Sequence, residues 1–512
     1  MQRYTGILRH LLLPILLCSA AILLAWHPLE DDDIYYHLAI GREISQGNIP
    51  TADIFSHTSP GRSFVLHAPL FGLLIHGFYY FFGELGFLIY NFVASVLLAL
   101  TLWYFCRQLN SSRFTSFALA LGTMGLISQR LNFRAEIIVY CFVLILLSII
   151  LRWLKTKREV SLKGYAIFAL FLIFWNNFII NPPQLLLLGA FTIVEFLLEK
   201  RRLKTIIFFA STVLIYGIHT NGFDIISMTF AASDFERYRP VEENRAFDLQ
   251  KDFVFLAIMA GCLWFLLLAW KGAIKHRRVK RTDIFFSITF ISLAFVSIFQ
   301  FRVVSFFLII NLPLINRALS FYSSQLHVGR KFSTVLFAVA GLGFAVFVAF
   351  EPMEYYIDGR IAPAEAADFL EKNPPPGKMY NPFDSSAYLL WRLGKSQPVF
   401  WDIRTDLHAV TARQTFENLH RGFLRPYLRS RGVTFIIHEY WPELRYANHS
   451  MKESFLFPSR EYALVYANIF HAIYIDRKCE ICAGYIRKHE LNESPFEKYW
   501  GKKRGIIPPD KD

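Results

Sequence analysis

Long apolar segments recur along this chain, and they limit its fold more than any other feature. They lie at about 7–26, 86–106, 114–128, 136–152, 164–180, 183–199, 205–220, 252–270, 283–299, 302–319 and 332–350. A helix needs roughly 20 apolar residues to cross the hydrocarbon core of a bilayer, and several segments approach that length. A stretch at about 68–82, ended by Gly83, reads as an interfacial helix or a partial span. Arg3 and Arg9 precede the first apolar run, and no small-residue cleavage site follows it, so it reads as an uncleaved first transmembrane helix. Composition agrees with a membrane protein: 54% of the residues are hydrophobic, 52 of 512 are Phe, and only 18% are charged.

Charge then orients the segments. One set of alternate loops holds Arg107 and Arg113; Arg152, Lys155, Lys157, Arg158 and Lys163; Lys200, Arg201, Arg202 and Lys204; Lys271, Lys275, Arg277, Arg278, Lys280 and Arg281; and Arg317, Arg330 and Lys331. The intervening loops are acidic. The 27–66 loop carries Glu30, Asp31, Asp32, Asp33, Glu43 and Asp53, and the 221–250 loop carries Asp224, Asp234, Glu236, Glu242, Glu243 and Asp248. Basic loops stay in the cytoplasm, so the N-terminus is inside and about eleven crossings bring the C-terminus outside. The net charge of +14 is thereby placed in loops. No basic stripe remains for nucleic acid.

After residue 351 the apolar runs shorten and turn residues appear. Helices are predicted at 363–372 and 385–393, and strands at 378–381, 398–401, 433–438, 462–467 and 472–476. The predicted organisation is a transmembrane domain (1–351) with an outer loop (27–68), an outer α/β domain (352–490) and a basic tail (491–512). Cys479 and Cys482 form a C-x-x-C pair without two further nearby zinc ligands. The pair reads as a local disulfide or two free thiols.

Two groups of residues suggest chemistry. Asp31, Asp32 and Asp33 are adjacent at a membrane surface, where mutual repulsion and low dielectric favour the protonated form of at least one. A carboxylate of raised basicity is suited to take a proton from a hydroxyl. Arg130 and Arg134, with Glu136 just after, lie in a tight outer loop, and Arg302 begins a helix on the same side. An arginine at a membrane edge needs a partner, and its planar fork matches a phosphate. Together they suit transfer from a lipid-linked phosphate donor, since nucleotide sugars are not available outside.

The first outer loop resembles that of the C-superfamily (GT-C) membrane glycosyltransferases, in the branch of protein O-mannosyltransferases and the lipid A aminoarabinose transferase. Asp31, Asp33, Tyr35, Tyr36, His37, Leu38, Gly47, Ile49, Pro50, Asp53, Phe55 and Ser56 fit the pattern of a bacterial group in that branch. His67-Ala68-Pro69 resembles its His-Pro-Pro element, and Arg134-Ala135-Glu136 its Arg-Pro-Glu. Tyr380-Asn381, Tyr388 to Trp391 and Val399 to Arg404 resemble its outer domain, with Ile403 where Gly is usual. Trp175-Asn176-Asn177 lacks the His expected after it.

The resemblance implies a GT-C-like polytopic helical membrane domain and an inverting transfer on the outer face of the inner membrane. Its donor is a sugar on polyprenyl phosphate. Its acceptor is an envelope glycan, lipid or protein. Asp33 or Asp31 is then the base, and Arg134 and Arg302 hold the departing phosphate. Arg130, Asp53, His67, His37 and Glu136 are further candidates for substrate binding. Asp402 and Arg404 are candidates for sugar binding or for an internal salt bridge. A divalent metal is compatible with Asp31, Asp33, His37 and His67, and nothing in the sequence requires one. The alternatives are a non-catalytic scaffold, suggested by the lost Pro and His residues, and a transporter or flippase of lipid-linked glycans.

Overall fold

The computed structural model describes residues 2–29, 32–109, 111–156, 162–179, 182–198, 202–224, 253–275, 280–300, 303–317, 357, 359, 362–439, 460–468 and 470–491. Asp31, Arg302, the apolar segment at 332–350, most of the acidic loop at 221–250 and nearly all of the basic tail lie outside them. The chain is mostly helical. In order come α1 (Gln2–Leu24), α2 (Asp33–Ser45), α3 (Pro69–Phe82), α4 (Leu85–Gln108), α5 (Arg113–Leu126) and α6 (Glu136–Thr156). Then follow α7 (Leu162–Phe178), α8 (Pro182–Leu198), α9 (Arg202–Tyr216), α10 (Phe253–Lys275), α11 (Arg281–Phe299) and α12 (Val304–Ile310). The remaining helices are α13 (Ala364–Lys372), α14 (Ser386–Leu393), α15 (Thr405–His420), α16 (Leu424–Ser430) and α17 (Ala483–His489).

Two compact units divide the chain. One comprises 1–27, 78–223 and 240–355, and the other 28–77, 224–239 and 356–512. The division falls within α3. Residues 28–68, which the sequence groups with the transmembrane domain, belong by their contacts to the unit that contains 356–512.

In the first unit, α4 packs against α1, α5 and α6, and α8 packs against α9 and α11. Among the described residues, α4, α6 and α11 are long and apolar enough to cross a membrane, and shorter apolar helices accompany them. Their apolar surfaces suit hydrocarbon, and a charged pair joins two of the helices. Arg281 of α11 meets Glu195 of α8 at 2.8 Å. The sequence feature Trp175-Asn176-Asn177 closes α7 onto the end of α9. Asn176 Nδ2 donates to the Ile215 carbonyl at 3.3 Å and Asn177 Nδ2 to that of Ile218 at 3.1 Å. The predicted segment at 302–319 is interrupted at Asn311, two residues before Pro313, whose missing N–H removes a helix hydrogen bond.

The second unit holds a four-stranded sheet of β1 (Lys378–Tyr380), β2 (Val433–Glu439), β3 (Tyr462–Ala467) and β4 (His471–Asp476) in the order β1-β2-β4-β3. β1 and β2 are parallel and the other pairs antiparallel. A parallel pair needs a long crossover, and here α14, α15 and α16 supply it. These strands and the two predicted helices match the expectation closely. The predicted strand at 398–401 does not join the sheet. Asn381, fully buried, accepts from the Phe400 N–H (2.8 Å) and donates to the Trp401 carbonyl (3.2 Å), so one side chain replaces a strand ladder. On its other side Val399 pairs in parallel with Ser56 of the first loop. Phe400 and Trp401 then enter a core with Ala412, Leu424, Leu428, Val433, Ile436 and Tyr462.

Helix α2 completes this unit. It packs on α14, with Tyr35 stacked on Trp391 at 5.5 Å and edge-on to Tyr388 at 4.8 Å. Glu43 takes a bond from Lys395 at 2.9 Å. Gly41 and Gly72 let α2 and α3 meet backbone to backbone: a Cβ on Gly41 would stand 2.0 Å from the Gly72 carbonyl oxygen. Cys479 and Cys482 form a disulfide.

Candidate active site

The described candidate residues fall in the two units as follows. Asp33, His37, Asp53, His67, Asp402 and Arg404 belong to the second, and Arg130, Arg134 and Glu136 to the first. Asp31 and Arg302 lie outside the described residues.

Asp33 opens α2, in its first turn, and is partly exposed. The dipole at that end of a helix favours negative charge there. One turn on, His37 is buried and packs edge-on to His67, with ring centroids 5.5 Å apart. Tyr36 stacks parallel to His67 at 6.0 Å, and Phe71 lies edge-on to His37 at 4.8 Å. The two histidines thus share an aromatic cluster beside the base candidate. Among the described residues no group of three His, Cys, Asp or Glu is arranged to hold a metal ion.

Asp53, Asp402 and Arg404 come together, although 351 positions separate Asp53 from Arg404. Arg404 Nη2 lies 2.6 Å from Asp53 Oδ1 and 2.6 Å from Asp402 Oδ2, and Nε donates to Asp402 Oδ1 at 2.8 Å. The Arg404 side chain is 2% exposed and those of Asp53 and Asp402 0%. Asp53 Oδ1 also accepts the N–H groups of Phe55 (3.0 Å) and Ser56 (3.2 Å), while Oδ2 accepts the Ser56 hydroxyl. The guanidinium lies over Phe64 at 4.6 Å and Phe55 at 5.6 Å. His408, wholly buried one turn into α15, brings Nε2 to 3.3 Å from Asp402 Oδ2.

Of the two roles open to Asp402 and Arg404, the internal salt bridge is formed. It fixes the first loop to the later domain. Around it His57 Nε2–H donates to the Met379 carbonyl (2.7 Å), Thr58 to the Phe400 carbonyl, and Arg62 to the Leu407 carbonyl (3.2 Å). Burial opposes the charge on Asp402, but Arg404 and His408 outweigh it and hold the carboxyl well below the usual carboxylate range. Burial also opposes the charge on Arg404, and Asp402 and Asp53 outweigh it in turn, so the guanidinium stays protonated. Burial lowers the pKa of His57, which favours the neutral ring that donates to Met379. His408 was not legible as a member: one His in an amphipathic helix carries no distinguishing pattern.

In the first unit, residues 128–130 form a short 3-10 turn, and Glu136 begins α6 and is buried. Its carboxylate at a helix N-terminus again suits the dipole. Arg134, partly exposed, stands between them, and its backbone carbonyl accepts the Tyr90 hydroxyl at 2.8 Å.

No protein-family model and no curated protein matches the chain by sequence. Solved structures do match in fold. The oligosaccharyltransferase AglB from Archaeoglobus fulgidus, in complex with an inhibitory peptide and a dolichol-phosphate, aligns with 92% of this chain and 74% of its own, at TM-score 0.61 and 12% identity. ArnT from Cupriavidus metallidurans, bound to undecaprenyl phosphate, aligns with 92% of this chain and 99% of its own, at TM-score 0.51 and 12% identity. The chain therefore shares the fold of these two solved structures.

The buried network makes a stability prediction. Asp402→Asn leaves a buried cation short of a partner and should cost roughly 3–5 kcal/mol. Because the folded carboxyl is held low, its stabilisation is present above the unfolded value of about 3.9 and is lost as pH falls through the lower folded value. Thermal unfolding of the purified protein should show an acid-labile step below about pH 4 that Asp402→Asn removes. Equal unfolding curves for the two proteins would contradict the network.

Proposed function

We propose that the protein is a multi-pass glycosyltransferase of the inner membrane, with about eleven crossings, that works on the outer face. It moves a sugar from a polyprenyl-phosphate donor to an envelope glycan, lipid or protein. The observation that carries this reading is the whole-chain likeness to ArnT bound to undecaprenyl phosphate, joined to a carboxylate at the start of a helix rigidly seated in its unit. AglB, in complex with dolichol-phosphate, supports the same donor class. The Cys479–Cys482 disulfide supports an oxidising, outer location for the later domain.

In this reading Asp33, or Asp31 beside it, takes the proton of the acceptor hydroxyl. The acceptor oxygen forms a bond to the anomeric carbon on the face opposite the donor phosphate. The bond from that carbon to the phosphate oxygen breaks, and its electron pair stays with the phosphate. Arg134 and Arg302, with Arg130, oppose the negative charge that develops there. The product is an inverted glycoside and free polyprenyl phosphate. His67, partly exposed, faces the sugar, and buried His37 and Tyr36 pack behind it. Asp53, Asp402 and Arg404 act at a distance by holding the loop in shape.

Two measurements test this. Asp33→Asn and Asp31→Asn proteins should insert normally, and at least one should lose roughly 10²–10⁴-fold in transfer from a polyprenyl-phosphate sugar. Full transfer by both would remove the assignment of the base. In a topology experiment, a cysteine placed at exposed Asn48 or Arg421 should react with a membrane-impermeant maleimide from outside, and one at Lys163 should not. The reverse pattern would overturn the orientation.

A further inference from the structure

Asn91 is the sixth residue after the start of α4 and is completely buried in a mainly apolar helix face. A buried amide has to be satisfied, and this one is satisfied by three backbone groups from two other segments. Its Nδ2 donates to the Ala25 carbonyl just past α1 (2.7 Å) and to the Leu131 carbonyl (2.8 Å). Its Oδ1 accepts the Phe133 N–H at 3.0 Å. Phe133 is the only non-glycine among the described residues with positive φ, at 52°. A side chain with a Cβ is disfavoured there, so the surroundings must hold the turn. Asn91 grips the turn on both sides of Asn132, and Tyr90, its neighbour on α4, donates to the Arg134 carbonyl at 2.8 Å. Phe133 itself is buried and anchors the turn from its other end. The direction in which Arg134 leaves the backbone is thus set by Asn91 and Tyr90.

We infer that Asn91 is a positioning residue for Arg134, holding the 131–134 turn in its disfavoured conformation so that the guanidinium is aimed at the phosphate of the lipid-linked donor; this rests on the reading of Arg134 as a phosphate ligand. Tyr90 assists it. Neither side chain touches the donor. Together they reduce the freedom that a surface arginine would otherwise lose on binding.

The test is the affinity of the purified full-length protein, in nanodiscs, for undecaprenyl phosphate. Asn91→Ala should weaken it by roughly tenfold, about the effect of losing one or two net hydrogen bonds that order the turn. Tyr90→Phe keeps the ring and loses only the hydroxyl, and should weaken it by about threefold. Combined with Arg134→Ala, neither change should weaken binding further, because each acts through that guanidinium. Losses of the same factor with and without Arg134 would mark a general structural role and overturn the inference, as would wild-type affinity in both single variants. Where Asn91→Ala does not fold, Tyr90→Phe decides alone. Unchanged affinity in Arg134→Ala itself would remove the reading of Arg134, and the inference with it. Weakened binding there beside intact binding in Asn91→Ala and Tyr90→Phe would remove the inference alone.

Discussion

A guanidinium buried away from water is tolerated only where its charge and its donors are met, and Arg404 is met from two distant parts of the chain. Asp402 lies two residues away and would suffice for a surface pair. Asp53, from the loop after α1, is what makes the pairing long-range. Without the loop, Arg404 would be exposed to solvent or left partly unpaired. Without Arg404, Asp53 would be a buried carboxylate with no cation. Each segment is therefore held by the other's cost of standing alone. The bridge of Ser56 to Val399 and the bond from His57 to Met379 lie on the same docked segment.

The same physics recurs in the first unit with an amide in place of a charge. Asn91 lies in apolar surroundings, and its three hydrogen bonds tie a turn that would not keep its shape alone. In the first unit a buried amide sits behind the turn that carries a candidate reacting group, and in the second rings and close glycines support the helix that carries another. Asp33 stands on a helix locked by rings and glycine contacts, and Arg134 on a turn locked by Asn91. Transition-state stabilisation depends on charges that need no rearrangement during the reaction. Rigid support one layer behind the charges supplies that condition.

Much of this was legible in the sequence because it rests on patterns that are local. Apolar run length, which marks the helices of the first unit, requires no knowledge of the fold. Strands β1 to β4 carry β-branched and aromatic residues between turn signals. The loop motif Asp53-Ile54-Phe55-Ser56 is now explained by contacts: Asp53 caps the turn, Ser56 binds Asp53, and Phe55 lies beneath Arg404. What was not legible depends on partners far away in the chain. Residues 398–401 look like a strand, but their pairing groups are taken by Asn381 and by the first loop. Helices α15 and α16 contain many polar residues and so hide the apolar side that covers Trp401. Asn91 gave a faint signal, a lone amide in an apolar run, yet only the fold shows which carbonyls it meets.

The central claim is that a lipid phosphate is held by the arginines of the first unit. A cryo-EM structure of the full-length protein in nanodiscs with undecaprenyl phosphate tests it directly. The account predicts phosphate density within hydrogen-bond distance of the Arg134 guanidinium, with the 131–134 turn unchanged. Phosphate density away from Arg134, or a turn that has refolded to admit it, would contradict the account.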